Sequence, residues 1–303
     1  MTPMLTLENE FLRLELAPEA GASVVNLAAR LAGAWVPIWR PTPPAEAAAG
    51  NVSRMASFTL APFSNRLPGG RFRFAGQDYQ LRLNTPDGNT QHGDVRRRPW
   101  RLLGADAASA AFALDTRAFP DFNYPFPFTA EITYRLAGPQ LETHFTLTSQ
   151  AAGPMPAGFG FHPYFQRTLH VPDEAVELEA GAAGVYADLI PTTAAGPVPA
   201  ELDFARQRPV AGASLNHCYA GWGGRAVIHW PRAGVTARIE ADAPLRHLVL
   251  FTPAAEPVLA VEPVTNATNG FNLHAAGIEG SGTLVLAPGG SVSAGFRLSL
   301  SAG

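Results

Sequence analysis

The sequence predicts an all-β fold, a large antiparallel β-sandwich, on three observations. Apolar and polar residues alternate with a period of two along most of the 303 residues, the pattern of strands with one face in a core. Glycine (29) and proline (28) are abundant, which favours many turns and short strands over long helices. Helical spacing is scarce throughout.

The elements follow in order. Leu12, Leu14 and Leu16 alternate with Arg13 and Glu15. Residues 23–31 fit either a strand or a short helix. Residues 41–50 and 191–200 are rich in proline and alanine and read as surface loops. Phe72 and Phe74 alternate with Arg71 and Arg73. After a turn at Ala75-Gly76, Tyr79, Leu81 and Leu83 alternate with polar residues, which predicts a hairpin. Phe128, Ala130, Ile132, Tyr134 and Leu136 share one face, and a turn at Ala137 to Gln140 leads into Leu141, Thr143, Phe145 and Leu147. Further strands are expected at 226–230, 235–240, 245–251, 258–263, 283–287 and 291–299. There is no fixed-period repeat and no clean linker, so 1–303 is expected to be a single domain. A chain of this length buries roughly three quarters of its unfolded surface and needs no staple.

Composition excludes several chemistries. All 22 basic residues are arginine, which removes lysine Schiff bases, lysine-anchored pyridoxal phosphate and the phosphate-loop lysine. The single cysteine, Cys218, excludes an internal disulfide framework, a zinc ribbon and a cysteine-held iron–sulfur cluster. A net charge of -3, a pI near 6.2 and 16% charged residues argue against a nucleic-acid partner. Met1 to Pro18 has neither the basic start nor the apolar stretch of a signal peptide. No apolar run reaches the ~18 residues of a membrane span. The default expectation is a cytoplasmic protein with no membrane partner.

Four segments carry candidate chemistry. Glu262 sits in the apolar strand Val258-Leu259-Ala260-Val261-Glu262-Pro263-Val264, on the face of Val258 and Ala260. Burial there raises a carboxyl pKa, as a general base near neutrality requires; a strand-end glutamate paired with arginine gives the same pattern. In Gly158-Phe159-Gly160-Phe161-His162-Pro163-Tyr164, one face reads Gly158, Gly160, His162, Tyr164 and the other is phenylalanine-rich. Glycines beside a histidine leave room for a close approach to the strand, and histidine exchanges protons near pH 7; a hydrogen-bonded core histidine is the plainer alternative. His92, in Gln91-His92-Gly93, and Arg66, in Asn65-Arg66-Leu67-Pro68-Gly69-Gly70, lie in polar, glycine-flanked segments. The Arg66 fork suits hydroxyls or a carboxylate, although an arginine before a turn is common. The histidines lack the helical spacing of a zinc site, so no metal is expected. Gly158-Phe159-Gly160 lacks the rest of a dinucleotide fingerprint, and no serine has a nucleophile-elbow context.

Taken in order, Asn65-Arg66 with Gly70, Phe72, Gly76 and Tyr79, then Gln91-His92-Gly93, Phe161-His162-Pro163-Tyr164-Phe165 and Val261-Glu262-Pro263-Val264-Thr265 resemble the aldose 1-epimerase (galactose mutarotase) family. Each motif is weak alone; the set of four in this order is specific and spans most of the chain. The resemblance implies a galactose mutarotase-like supersandwich and a sugar isomerisation without metal or cofactor. It implies that Glu262 takes the proton from the anomeric hydroxyl and His162 protonates the ring oxygen. It also implies that His92 and Arg66 hold the sugar. An acid and a base on opposite sides of the ring suffice to open a hemiacetal, let the C1–C2 bond rotate, and close it on the other face. One departure matters. Where the family often has Asp-His-Cys-Phe, this chain has Asn216-His217-Cys218-Tyr219. Asn216 keeps an acceptor for sugar hydroxyls but loses the charge, which leaves the preferred sugar open. Trp222 could stack on a sugar but leans to the core.

Three rivals stand beside this reading. A hexose 6-phosphate could be gripped by Arg96-Arg97-Arg98 and Arg101, although a solvated turn-flanking run is the preferred account of those arginines. A non-catalytic sugar-binding protein would share the fold, but binding alone does not need a matched acid and base. A glycoside hydrolase needs a second carboxylate, and Asp94 would have to supply it. The expected partner is a small-molecule sugar, and the expected assembly a monomer or homodimer.

Overall fold

Residues 4–172, 174–211 and 213–302 are described by the computed structural model. Two antiparallel sheets form the sandwich. The larger has nine strands in the order Arg101–Ala105, Ser109–Asp115, Phe128–Ala137, Gln140–Ser149, Ser291–Ala302, Val235–Ala241, Arg225–Trp230, Glu177–Glu179 and Arg208–Pro209. The second runs Gly184–Val185, Asn216–Ala220, His247–Phe251, Val258–Val264, Gly160–Phe161 and Thr59–Leu60, with Tyr164–Gln166 also paired to Val258–Val264. Leu5–Glu8, Leu12–Ala17, Ser23–Leu31 and Ala34–Pro37 make a separate four-stranded sheet, so residues 23–31 are a strand.

The period-two pattern decides which face is buried. In Phe128–Ala137 the five apolar residues are buried while Glu131 and Arg135 are exposed. Ile132 sits opposite Phe145, and Leu136 opposite Leu141. Their apolar faces meet the inner face of the second sheet, where Phe161 lies 6.5 Å from Phe145 and 5.1 Å from Phe296 between ring centroids. The second sheet is buried on both faces. Leu259 and Val261 join the core between the sheets, whereas Val258, Ala260 and Val264 join a second cluster with Phe58, Tyr164 and Val249. That outer face carries the polar cavity described below. Trp222 is fully buried and donates its indole N–H to the Arg225 carbonyl at 2.9 Å, as a core residue.

Some expectations change. The hairpin is Arg71–Phe74 with Gln77–Gln80. It ends at Gln80 because the Leu81 N–H turns to the Gly70 carbonyl at 2.8 Å. Leu81 is buried, but Leu83 is 54% exposed. Within 41–50, Pro44–Ala48 forms a short helix with proline in its first turn, where a missing N–H costs nothing. The glycines beside His162 make room for protein, not for a ligand. A Cβ on Gly158 would lie 2.1 Å from Asn266 Oδ1, and one on Gly160 2.6 Å from the Pro263 carbonyl.

Gly93 combines two demands. Its φ is +63°, and a Cβ there would lie 1.9 Å from the Ala61 carbonyl oxygen. Gly88 has φ +76° with nothing within 4 Å of a Cβ. Gly93→Ala is therefore expected to cost about 2–4 kcal/mol in urea unfolding. Gly88→Ala should cost only about 1 kcal/mol, from the left-handed backbone alone. Equal losses at the two positions would mean that the contact with Ala61 carries no weight.

Candidate active site

A cavity of about 250 Å³ opens on the outer face of the second sheet. It is smaller than the roughly 300–1,000 Å³ of pockets for drug-sized ligands, so it suits one small polar molecule. Glu262, His162, His92, Arg66 and Asn216 all line it. Segments separated by up to 196 positions meet there because strand Val258–Val264 pairs with the His162 segment on one side and with His247–Phe251 on the other. The strand opposite the latter, Asn216–Ala220, begins with Asn216 at the rim, where it is exposed.

Glu262 and His162 are in direct contact, with Oε1 and Nε2 3.2 Å apart and both side chains almost fully buried. Burial pushes the Glu262 carboxyl well above the usual range, opposed by the charge of Arg66. Burial also holds the His162 imidazole well below its usual value, with Arg40 and Arg96 acting in the same direction. Both directions favour a neutral pair sharing one proton, which rests on Glu262. The expectation from sequence is an acid and a base on opposite sides of a sugar ring; in the structure the two groups touch. The second carboxylate oxygen, Oε2, and His162 Nδ1 are buried without a hydrogen-bond partner among the described residues.

Aromatic rings confine this pair. Phe58 and Tyr164 flank the His162 ring at centroid distances of 4.7 and 4.5 Å, and the Tyr164 hydroxyl lies 3.4 Å from Nε2. Behind Tyr164, the Arg40 guanidinium sits 3.8 Å from the ring centroid. Arg40 is held by Glu256 at 3.1 Å and by the carbonyls of Ser53 and Met55.

His92 is set by the backbone. Its Nδ1 accepts the Asn65 N–H at 3.1 Å. A ring nitrogen that accepts carries no hydrogen, so the neutral ring has its hydrogen on Nε2 and can donate it. Burial, then the charges of Arg96 and Arg66, keep it neutral by lowering its pKa well below the usual value. Asn65 and His92 both adopt left-handed backbone (φ +57° and +63°), which asparagine and histidine tolerate better than most residues. Arg66 is anchored to Asp87 at 2.9 Å and to Asn65 Oδ1 at 3.2 Å. The Thr85 hydroxyl, then Arg66, hold the Asp87 carboxyl at about 2 against the effect of burial.

The arginine run divides: Arg97 and Arg101 are exposed, whereas Arg96 is buried and Arg98 half-buried. Arg96 is buried, lines the cavity and lies 5.1 Å from the Phe58 ring centroid. Its Nε has no partner among the described residues, and burial lowers its pKa to about 10. Arg98 instead clamps Asp94 (2.5 Å) and Asp121 (2.8 Å), so Asp94 is engaged away from the cavity and does not supply a second catalytic carboxylate. Phe58 was not singled out by sequence as a contributor to this cavity, Gln91 entered only as the neighbour of His92, and Arg96 only as part of a possible phosphate grip. Arg96 follows His92 by four positions, and a one-turn helix, Val95–Arg97, in which Val95 and Arg96 are buried, turns it inward. Tyr164 continues the His162 face, and that signal was present in the alternation.

The chain belongs to the aldose 1-epimerase family, whose sequence model matches residues 3–299. It is 26% identical to the uncharacterized protein YphB of Escherichia coli K12 over 310 residues, 97% of each chain. It is 28% identical to the uncharacterized protein YihR of the same organism over 228 residues, 70% of each. The crystal structure of a galactose mutarotase-like protein from Clostridium acetobutylicum superimposes with a TM-score of 0.86 at 18% identity, covering 99% of this chain and 95% of that one. The fold is thus the galactose mutarotase-like sandwich. Among the described residues, no helix is long and apolar enough to cross a membrane, and no three His, Cys, Asp or Glu side chains are grouped to hold a metal ion.

Burying Glu262 has a cost that depends on pH. Its folded pKa is raised above the unfolded value, so the folded state holds the proton more tightly. The associated stability is present at low pH and is lost as pH rises through the folded value. Glu262→Gln carries no such dependence. Thermal unfolding between pH 5 and 9 should therefore show the variant gaining on the wild type as pH rises. A constant difference across that range would mean that Glu262 is not buried in its neutral form.

Proposed function

We propose that the protein is an aldose mutarotase, interconverting the α and β anomers of a free aldose by acid–base ring opening and closure. The contact between Glu262 and His162 carries this reading. In a cyclic aldose O1 and O5 are bonded to the same carbon, so two proton-exchanging groups in contact with each other can reach both. With the shared proton on His162, Glu262 takes the O1 proton while His162 delivers one to O5. The C1–O5 bond breaks, C1 becomes an aldehyde carbon, and the pair again holds a single proton, now on Glu262. Rotation about C1–C2 presents the other carbonyl face, and the same groups run in reverse. The resting proton on Glu262 reaches His162 across the 3.2 Å contact.

The remaining residues position the sugar. His92 Nε2–H and the Arg66 guanidinium offer donors to hydroxyls and to the negative charge that develops on oxygen during transfer. Asn216 at the rim contacts a more distant hydroxyl. The apolar aromatic walls around Glu262 and His162 lower the local polarity and strengthen each of these interactions.

A second reading has one observation in its favour. Arg96 brings a buried guanidinium to the cavity wall whose Nε has no partner among the described residues, and an acidic sugar such as a hexose 6-phosphate would supply one. Polarimetry distinguishes the two. Freshly dissolved α-D-glucose, α-D-galactose and glucose 6-phosphate are compared, with Arg96→Gln alongside. A kcat/KM advantage for the phosphate that disappears in Arg96→Gln selects the second reading.

The acid–base assignment makes three expectations. Glu262→Gln lowers kcat by about 10²–10⁴-fold with the fold retained, and near-normal turnover would remove Glu262 from the mechanism. His162→Asn does the same; a rise in KM alone would make His162 a binding residue. The kcat profile is bell-shaped, falling on the acid side as the pair gains a second proton and on the alkaline side as it loses its only one. Because burial raises Glu262, the alkaline limb lies above the ordinary carboxylate range. Turnover should also be unchanged by a chelator, and loss reversed by added metal would overturn this mechanism.

A further inference from the structure

His247 lies outside the cavity lining and is buried, yet its two ring nitrogens face two acceptors. Nδ1 is 2.9 Å from the Thr265 carbonyl oxygen, and Nε2 is 2.9 Å from the Gly280 carbonyl oxygen. A carbonyl only accepts, and a neutral imidazole has one N–H to give. Both contacts are hydrogen bonds only when the ring is an imidazolium. In the neutral ring, one nitrogen lone pair faces a carbonyl oxygen at contact distance, which is repulsive.

The two carbonyls are the two ends of one loop. Between Thr265 and Gly280 the chain leaves the sheet, forms the helix Gly270–Ala275, and returns. Its base is further closed by the Ala267 N–H on the Ser281 carbonyl at 2.9 Å. The loop is joined to the segment that bears Arg66. Asn266 accepts the Ser64 N–H at 3.1 Å and the Ser64 hydroxyl at 2.8 Å, and the Asn269 N–H donates to the Arg66 carbonyl at 2.9 Å. Asn272 accepts the Arg73 N–H and donates to the Arg71 carbonyl. The support under Asn65, which orients His92, and under Arg66 is thus this loop.

We propose that His247 is a positioning residue whose protonated ring clamps both ends of the 265–280 loop and so holds Arg66 and Asn65 in place for the sugar. The second carbonyl bond exists only in the protonated ring, so protonation favours the pinned loop and, by linkage, the pinned loop favours protonation. Burial acts against the charge and sets the transition below the ordinary histidine value, with the two carbonyls opposing it. The groups that face the ring are few. Tyr186 stacks on it at 6.2 Å, with its phenol pushed up to about 12 mainly by burial and its hydroxyl on the Gly280 carbonyl. Cys218 and Glu262 lie one residue pair further along the same sheet face. Glu279, beside Gly280, is exposed.

The clamp predicts a KM effect separate from the kcat effect of the Glu262–His162 pair. The first measurement is two-dimensional ¹⁵N–¹H spectroscopy of the histidine rings in the full chain from pH 5 to 8, with His247→Gln for assignment. Both His247 nitrogens should be protonated at the acid end, and one proton should leave as pH rises. A ring that keeps a single proton over the whole range overturns the proposal. The second is hydrogen exchange of residues 266–280, corrected for intrinsic rates. Protection should fall with the same midpoint, and unchanged protection overturns the proposal. The third rests on the mutarotase reading. KM should rise about 3- to 10-fold as pH passes that midpoint, and His247→Gln should have the high KM at every pH with the kcat limbs unmoved. A KM step that persists in the variant overturns the proposal. Absence of any mutarotation would defeat the mutarotase reading, while the spectroscopic and exchange arms still decide the clamp.

Discussion

A carboxyl group and an imidazole in contact, sealed beneath aromatic rings, are stable with one proton between them and costly with two or none. Glu262 and His162 form such a pair, and the surrounding architecture follows from that constraint. Glu262 arrives from strand Val258–Val264 and His162 from the break between Gly160–Phe161 and Tyr164–Gln166, two short strands that both pair with it. Each group must be withdrawn from water, so the sheet that carries them must be covered on both faces. The second sheet meets that condition. Its inner face packs on the nine-stranded sheet, and its outer face carries a smaller apolar cluster that ends at the cavity.

The charge balance around the pair explains why a protein with net charge -3 has so cationic a cavity. Arg66, Arg96 and, behind Tyr164, Arg40 surround two groups that burial keeps neutral. Arg66 and Arg40 have carboxylate partners set back from the cavity, which fixes their side chains without cancelling the field inside. The result favours oxygen atoms that gain negative charge, whether transiently at O1 and O5 or permanently on an acidic substituent. The same field opposes a second proton on His162 and so protects the singly protonated state of the pair.

Positioning is delegated to the backbone. The left-handed turns at Asn65 and His92 and the close approach of Gly93 to Ala61 act through main-chain atoms, and the 265–280 loop supports Ser64 and Arg66 through both main-chain and asparagine side-chain bonds. That arrangement leaves the side chains in the cavity free for the sugar. It also couples the site to groups outside it, of which His247 is the one that bridges two carbonyls.

The alternation of side chains was enough to determine the longer strands, the inward face of Phe128–Ala137 and the shared face of His162 and Tyr164, because a strand's period is fixed by local geometry; it did not mark Arg101–Ala105, Ser109–Asp115 or Asn216–Ala220 as strands. The order of four short motifs was enough to bring Glu262, His162, His92 and Arg66 forward as one group. Local pattern did not reveal that Glu262 and His162 touch, since cross-strand register depends on pairings between distant segments. Nor did it reveal that Arg96 turns inward while Arg98 closes on Asp94, because adjacent arginines look alike until the packing of Val95 and Phe58 separates them. His247 read as one more apolar-strand residue. Its two carbonyl partners come from the ends of a loop 18 and 33 positions away, and only the closed chain brings both to one ring.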